Sequence, residues 1–165
     1  EDLDAKLVAA IRAEAIDEEE VKRLLDAKAD PNRPIPPVSG TADERSYLFL
    51  AAHQGNVGAV NALLGAGADK DAKDIFGNTP LFGAVGQSKN EVAQILIDAK
   101  ADVNAQETVM TGYTPLIHAS MEANEVLVPM LLKAGANPDL QSKRGWTAVH
   151  GCLTSMSGKP GVLKM

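Results

Sequence analysis

Three histidines and one cysteine are the side chains best suited to catalysis or metal binding: His53, His118, His150 and Cys152. A zinc site needs three or four converging ligands, and a nucleophilic cysteine needs a base within hydrogen-bonding reach. The three histidines fall in separate copies of a repeated pattern, and Cys152 is the only thiol. The sequence therefore predicts no catalytic residue, no metal and no other cofactor.

The other motifs that carry chemistry are absent or have a simpler explanation. The acidic run "DEEE" at residues 17–20 precedes and opens a predicted helix, where carboxylates interact favourably with the helix dipole. We interpret it as structural and not as a cation site. The sequence contains no P-loop, no G-x-G-x-x-G after a strand and no basic, aromatic stripe for nucleic acid. An enzyme and a nucleic-acid-binding protein are both disfavoured.

Composition limits the class and the location of the protein. Aromatic residues make up only 4% of the chain, which favours close-packed short helices over a large β-sandwich core. The net charge of −6 is uneven, because the acids concentrate in residues 1–30 whereas residues 142–165 carry bases and no acid. One cysteine excludes an internal disulfide, and neither a signal peptide nor an 18-residue apolar span is present. We expect an intracellular, cytoplasmic protein without membrane insertion.

Two phrases recur along the chain with a common period. The first begins at Ser46, Thr79, Thr114 and Thr147, which are 33, 35 and 33 residues apart. The second, of the type "LLGAGAD", ends at Asp30, Asp69, Asp102 and Asn137, which are 39, 33 and 35 residues apart. A shared period near 33 indicates a stack of similar units.

Each period predicts a helix, a turn, a second helix and a projecting loop. In the third copy Gly77 supplies a permissive backbone, Thr79 is suited to cap a helix and Pro80 fits its first position. That helix should run to about Gln87, and Asn90 should cap a second, amphipathic helix. Because one such pair cannot bury its own apolar face, neighbouring pairs must stack into an all-α solenoid.

The repeated phrases "DIFGNTPLFGA…VAQILIDAKADVN" and "GYTPLIHA…VPMLLKAGANPD" resemble those of ankyrin-repeat proteins over about residues 2–153. The resemblance implies an ankyrin-repeat solenoid of helix-turn-helix units with β-hairpin-like projecting loops. We expect a single domain at residues 1–165 with about five repeats. The approximate repeats are 2–33, 41–73, 74–106, 107–141 and 142–165, the first a polar capping repeat and the last incomplete or irregular.

Several residues depart from the family pattern. Lys28 and Lys100 stand where a helix-ending Gly is usual, so a left-handed backbone there would cost about 1 kcal/mol each. Pro129 should make the fourth outer helix begin late or bend. Cys152 replaces a small core Ala and is predicted to be an inert, buried thiol. Extra residues should lengthen the loops in "RPIPPVSGTADER" and "ETVMTGY", and "SGKPGVLKM" hardly supplies a fifth outer helix.

The resemblance also indicates a binding surface, since ankyrin arrays bind through loop tips and the exposed face of each first helix, which line a concave groove. In repeat two the tip would hold Asp43 and Arg45. In repeats three to five the candidate partner-binding residues are Ile75, Phe76, Asn78, Gln87, Val109, Met110, Tyr113, Met121, Glu122, Lys143, Arg144 and Trp146.

Seven of these candidates are apolar and would form a ridge over repeats three to five. Aromatic anchors are typical of binding hot spots, and Trp146 is the strongest single candidate. Lys143 and Arg144 favour a ligand with an apolar core and an acidic flank. The alternative is that the apolar tips stack on each other and only stiffen the row of loops.

We therefore predict a monomeric, non-catalytic module that binds another protein, and no nucleic acid. Two alternatives stay open. The array could be a regulatory or targeting segment of a longer enzyme or channel chain. It could also be a substrate, because Asn104 in "ADVNA", and more weakly Asn32, resemble the loop asparagines that asparaginyl hydroxylases modify in ankyrin proteins.

Overall fold

A computed structural model describes residues 2–13, 17–33, 35 and 45–157. Within these ranges the chain forms helices and no strand, which confirms the all-α prediction. None of the described helices is long and apolar enough to cross a membrane. The helices are α1 (Leu3–Arg12), α2 (Glu18–Asp26), α3 (Tyr47–Gln54), α4 (Val57–Gly65), α5 (Pro80–Gly86), α6 (Asn90–Asp98), α7 (Pro115–Met121), α8 (Leu127–Lys133) and α9 (Ala148–Ser157).

The helices pack as two rows. The odd-numbered helices α1, α3, α5, α7 and α9 stack in sequence, and the even-numbered helices α2, α4, α6 and α8 form the second row. Each odd helix up to α7 also packs on the even helix that follows it. The core is a continuous apolar cluster between the rows, and Leu7, Leu48, Leu81 and Leu116 lie in successive layers with at most 1% of their surface exposed. Stacking of neighbouring repeats thus buries what one pair cannot.

Side-chain caps start the helices where the sequence predicts. The Thr79 hydroxyl accepts the Phe82 N–H of α5 at 3.3 Å, and the Thr114 hydroxyl does the same for α7 at 3.1 Å. Asp17 caps α2 and accepts two amides of its first turn, which supports the structural interpretation of residues 17–20. These caps satisfy N–H groups that a helix leaves without partners at its start.

Two of the second helices begin in unexpected or unusual ways. The prediction that Asn90 caps α6 is wrong, because Lys89 precedes the helix without a side-chain cap and Asn90 is its first residue. The helix α8 begins late, at Leu127, as predicted for the proline. Pro129 therefore occupies the first turn of α8, where a missing N–H is tolerated.

Two lysines adopt the left-handed backbone expected at the helix ends. Lys28 has φ +74° and Lys100 has φ +65°, close to the values of Gly67 and Gly135 at the same register. Replacing Lys100 with Gly should therefore raise the free energy of unfolding by about 0.5–1 kcal/mol, since the relief of strain exceeds the added entropy of the unfolded chain. Chemical denaturation measures this difference.

The matched control is Lys22→Gly in the middle of α2, which should lower stability by about 1 kcal/mol because the backbone there is helical. A Lys100→Gly variant that is neutral or less stable than the wild type would contradict the strain argument.

Some expectations fall outside the described residues. They concern Asp43 and most of the extended first loop. They also concern residues 158–165, which the sequence predicts to supply hardly any of a fifth outer helix. The single domain of residues 1–165 and its repeat boundaries stay predictions.

Candidate functional site

Three loops at one edge of the stack share a common closure. Each begins with a buried polar residue and ends with a backbone hydrogen bond back to it. The loops at residues 74–78 and 142–146 are equal in length, whereas the loop at 107–113 is longer by the two residues that the sequence predicts. The closing N–H···O=C bonds run from Asp74 to Asn78 at 3.0 Å, from Glu107 to Tyr113 at 3.0 Å and from Ser142 to Trp146 at 2.8 Å.

The opening residue of each short loop also organises the loop from inside. Asp74 accepts the backbone N–H groups of Phe76 at 2.9 Å and Asn78 at 2.8 Å, and also the Asn78 side-chain amide at 3.1 Å. The hydroxyl of Ser142 accepts the backbone N–H of Trp146 at 3.0 Å in the same way. The half-buried Asn78 side chain therefore supports its own loop.

Glu107 holds the longer loop through hydrogen bonds in the same way. It is only 5% exposed, and its carboxylate accepts the backbone N–H groups of Met110, Thr111 and Gly112 together with the Thr111 hydroxyl. Burial alone would raise the pKa of Glu107, but these hydrogen bonds outweigh it and lower the pKa from its ordinary value of 4.5 to about 2. The longer side chain of Glu spans the longer loop.

Sequence reasoning missed Glu107. The signal that could have found it is an acid at the register of Asp74, directly before the two inserted residues.

Hydrogen bonds between successive tips join the three loops. The Thr108 N–H donates to the Phe76 carbonyl at 2.9 Å, and the Lys143 N–H donates to the Thr111 carbonyl at 2.9 Å. The Lys143 ammonium also donates to the Val109 carbonyl at 2.7 Å. The tips of repeats three, four and five are thereby held in fixed positions relative to one another.

Four of the seven apolar candidates are exposed at these tips, and we call them the tip patch: Ile75, Phe76, Val109 and Met110. They are 41%, 36%, 53% and 70% exposed, respectively. The other three members of the predicted ridge, Tyr113, Met121 and Trp146, are half-buried. The strongly exposed members of the predicted ridge are therefore confined to repeats three and four.

The polar candidates lie around this patch. Gln87 and Glu122 are the exposed residues that end α5 and α7. Lys143 and Arg144 are both exposed on the fifth tip, and in the described part of the chain neither forms an ion pair.

Two histidines lie against aromatic rings. His53 stacks on Phe49 with ring centroids 6.0 Å apart, and His118 meets the edge of Phe82 at 5.4 Å. Burial lowers the pKa of both imidazoles, which favours their neutral forms. Both rings thus contribute to packing between or along the helices.

The third histidine, His150, bonds to the residue that precedes its own helix. The Thr147 N–H donates to His150 Nδ1 at 3.2 Å, which ties the ring to the start of α9. Across the ranges that the structure describes, no group of three or more His, Cys, Asp or Glu side chains is placed to hold a metal ion.

The prediction that Cys152 is buried is wrong. Its side chain is a free, half-exposed thiol, whereas the residues at the same register of earlier repeats have at most 1% exposure. Those residues are Ala51, Ala84 and Ala119, on helices that pack both on the second helix of their own repeat and on the next repeat. No such layer covers α9 within the described residues.

Asn104 bridges two repeats. Its side-chain oxygen accepts the Asn137 N–H at 2.7 Å, and its amide donates to the Gly135 carbonyl at 3.5 Å. Asn32 bridges the first two repeats in the same way, accepting the Asp69 N–H at 2.7 Å. Hydroxylation of Asn104 stays a prediction, on a side chain that stabilises the stack.

Known families and proteins match this chain along most of its length. The family model "Ankyrin repeats (3 copies)" matches residues 7–107, and the model "Ankyrin repeat" matches residues 111–143. The rat (Rattus norvegicus) ankyrin repeat and SAM domain-containing protein 6 is 32% identical over an alignment of 124 residues that covers 72% of this chain and 13% of that protein.

Two other relatives are similar over slightly less of the chain. The human neurogenic locus notch homolog protein 2 is 38% identical over 104 residues, covering 62% of this chain and 4% of that protein. The Caenorhabditis elegans ankyrin repeat and KH domain-containing protein mask-1 is 33% identical over 107 residues, 65% of this chain and 4% of that protein. The chain thus spans a small part of the relatives it matches.

Proposed function

The chain belongs to the ankyrin-repeat family, and from this membership we propose that it is a non-catalytic module that binds another protein across the loop tips of repeats three to five. Ankyrin repeats generally mediate protein–protein interaction. The partner segment would lie along the tips and the adjoining ends of the first helices, over the candidate residues named from the sequence.

The observation that carries this proposal is the tip patch. Large apolar side chains on solvated loops lower the free energy of binding when a partner removes them from water. Here the loops are already fixed, by Asp74 and Glu107 from inside and by the bonds between neighbouring tips. Since little entropy remains to be lost on binding, the tip patch can serve as a pre-organised anchor site.

The surroundings of the tip patch support a proposal for the partner's chemistry. Lys143 and Arg144 provide positive charge on the fifth tip, so an acidic residue of the partner would pair there. The half-buried Tyr113, Met121 and Trp146 would form the side of the groove, where the exposed edge of each side chain would contact the ligand. The proposed ligand is an extended or loop segment with an apolar core and an acidic flank.

The test replaces all four residues of the tip patch with Ser. We expect this variant to lose the proteins that the wild type captures in an affinity pull-down read by mass spectrometry. Its circular dichroism melt should stay nearly unchanged, because the replaced side chains are exposed.

A matched control removes equally exposed apolar side chains from the other row of helices. Val126 is 50% exposed and Leu132 is 45% exposed, both at α8, and replacing them with Ser should leave capture intact. Capture retained by the tip-patch variant, or lost equally by the α8 variant, would refute the proposed surface.

A second candidate function is supported by the coverage of the relatives. This chain spans 13% of the rat protein and 4% of the human one, so in those proteins the matching repeats are part of a much longer polypeptide. The module would then act as the regulatory or targeting segment of a multidomain chain. Sequencing the messenger RNA around this segment tests it, and an isolated reading frame would exclude it.

A further inference from the structure

The last described helix exposes positions that every earlier described repeat from the second onward buries. Counting from the capping residue, the second, fifth and sixth residues of α3, α5 and α7 are at most 1% exposed. In α9 the same positions hold Val149 at 62% exposure, the half-exposed Cys152 and Leu153 at 60% exposure. We call these three residues the end face. The buried counterparts are Leu48, Ala51 and Ala52, then Leu81, Ala84 and Val85, then Leu116, Ala119 and Ser120.

The loop beside the end face has an open backbone acceptor. The Phe76 carbonyl accepts the Thr108 N–H of the next tip, and the Thr111 carbonyl accepts the Lys143 N–H, each at 2.9 Å. The carbonyl at this register in the fifth tip belongs to Arg144, and no backbone N–H in the described ranges donates to it. The row of tips therefore ends with an acceptor in position for another tip.

A side-chain acceptor is open at the same end. Asn32, Asp71 and Asn104 each accept a backbone N–H of the following repeat, at 2.7, 2.8 and 2.7 Å. Asp139 holds this register in the fourth repeat and is exposed. No donor to its carboxylate lies among the described residues. Three independent parts of an inter-repeat interface thus occur together at one end.

At the opposite end of the stack, the described backbone donor at the matching register is already engaged, which disfavours simple head-to-tail pairing of two copies. Asp30 holds the donor register of Asp69, but its N–H already donates to Asp4 of α1 at 2.8 Å. The Arg33 guanidinium also donates to the Asp4 carboxylate, at an N···O distance of 2.5 Å. The first repeat is therefore a closed cap.

We propose that the end face, the Arg144 carbonyl and the Asp139 carboxylate together form a stacking surface for a further ankyrin-type unit of the same polypeptide. The unit covers Val149, Cys152 and Leu153 with apolar side chains, donates one loop N–H to Arg144 and donates another to Asp139. The inference is independent of the tip patch and of its partner.

The first test is the coding sequence beyond Met165. The internal spacings of 33 and 35 residues place the next Ser or Thr cap close to residue 180 or 182. A stop codon before that point, or a sequence without the repeat, overturns the proposal.

The second test follows the Cys152 thiol, which is the only one in the chain. In the 165-residue chain it should react readily with a disulfide reagent, and in the natural longer chain at least about tenfold more slowly, because stacking restricts access. Leu153→Asp should restore fast labelling in the longer chain and leave the melt of the 165-residue chain unchanged. The control Leu132→Asp, also at an exposed apolar position, should affect neither.

Two results from measurements on the purified protein would overturn the proposal. One is an equal labelling rate in the short and the longer chain, with the longer chain shown to be folded by circular dichroism. The other is self-association of the 165-residue chain in sedimentation equilibrium that Leu153→Asp abolishes, because the face would then belong to a second copy.

Discussion

Replacing Glu107 with Ala is expected to lower the free energy of unfolding by about 3 kcal/mol, the largest effect of any single polar substitution at the loops. The carboxylate is buried and accepts hydrogen bonds from Met110, Thr111 and Gly112. Without it these donors lose their partners, and the loop that presents Val109 and Met110 loses its fixed shape. Urea denaturation measures the stability, and the pull-down should show a loss of capture.

The pH dependence identifies the carboxylate as the cause. The pKa of Glu107 is about 2 in the folded chain, below its ordinary 4.5. Between these pH values the carboxyl group therefore binds fewer protons in the folded than in the unfolded state. Its contribution is therefore fully present above about pH 4.5 and is lost as the pH falls towards 2. The stability difference between the wild type and Glu107→Gln should shrink over this range by up to about 3 kcal/mol.

The control for both variants is Glu125→Ala, which removes an exposed carboxylate before α8. It should change stability by no more than about 0.5 kcal/mol. A Glu107→Ala variant as stable as this control would refute the role of Glu107 in the loop. A Glu107→Gln difference that stays constant from neutral to acid pH would refute the role of its charge.

Replacing Gly77 with Ala is expected to cost about 3 kcal/mol, for two reasons that add. Gly77 has φ +83°, which a residue with a Cβ adopts at a cost. A Cβ there would also lie 2.4 Å from Thr108 Oγ1 and 2.8 Å from the Thr108 backbone nitrogen. The clash falls on the bond between the Thr108 N–H and the Phe76 carbonyl, so the third and fourth tips should separate.

Gly67 supplies the matched control. Its φ is +86°, nearly that of Gly77, but a Cβ on Gly67 would meet no atom within 4 Å. Gly67→Ala should therefore cost only the backbone strain, about 1 kcal/mol. Thermal and urea denaturation of both variants measure the difference, and equal losses would show that the contact with Thr108 does not matter. Amide hydrogen exchange at Thr108 should rise in Gly77→Ala alone.

The sequence by itself determined the repeat unit and the all-α class, because these depend on local interactions. A Thr at the cap, a Pro at the first helical position and an apolar stripe act within a few residues of each other, as at Thr79 and Pro80. The period then requires stacking, since one pair cannot bury its apolar face. The left-handed backbone at Lys28 and Lys100 followed from the register of Gly67 and Gly135 in the same way.

Part of the candidate site was equally accessible from the sequence. Ile75, Phe76, Val109 and Met110 are apolar residues at loop tips, and the structure exposes them as the register predicts. Whether they bind a partner is still a prediction. The sequence did not show that Tyr113 and Trp146 are half-buried at the same register as Asn78, because their exposure depends on side chains from other parts of the stack.

Only the tertiary structure decided which residues hold the tips and which face is left uncovered. Glu107 acts on backbone groups that a longer loop brings back to it, and the Phe76 carbonyl meets Thr108 only after a whole repeat has folded between them. Cys152 has the register of a core alanine, yet it is half-exposed because burial depends on the presence of a following layer. Helix formation is local and can be read from spacing, whereas burial and loop support depend on contacts between repeats.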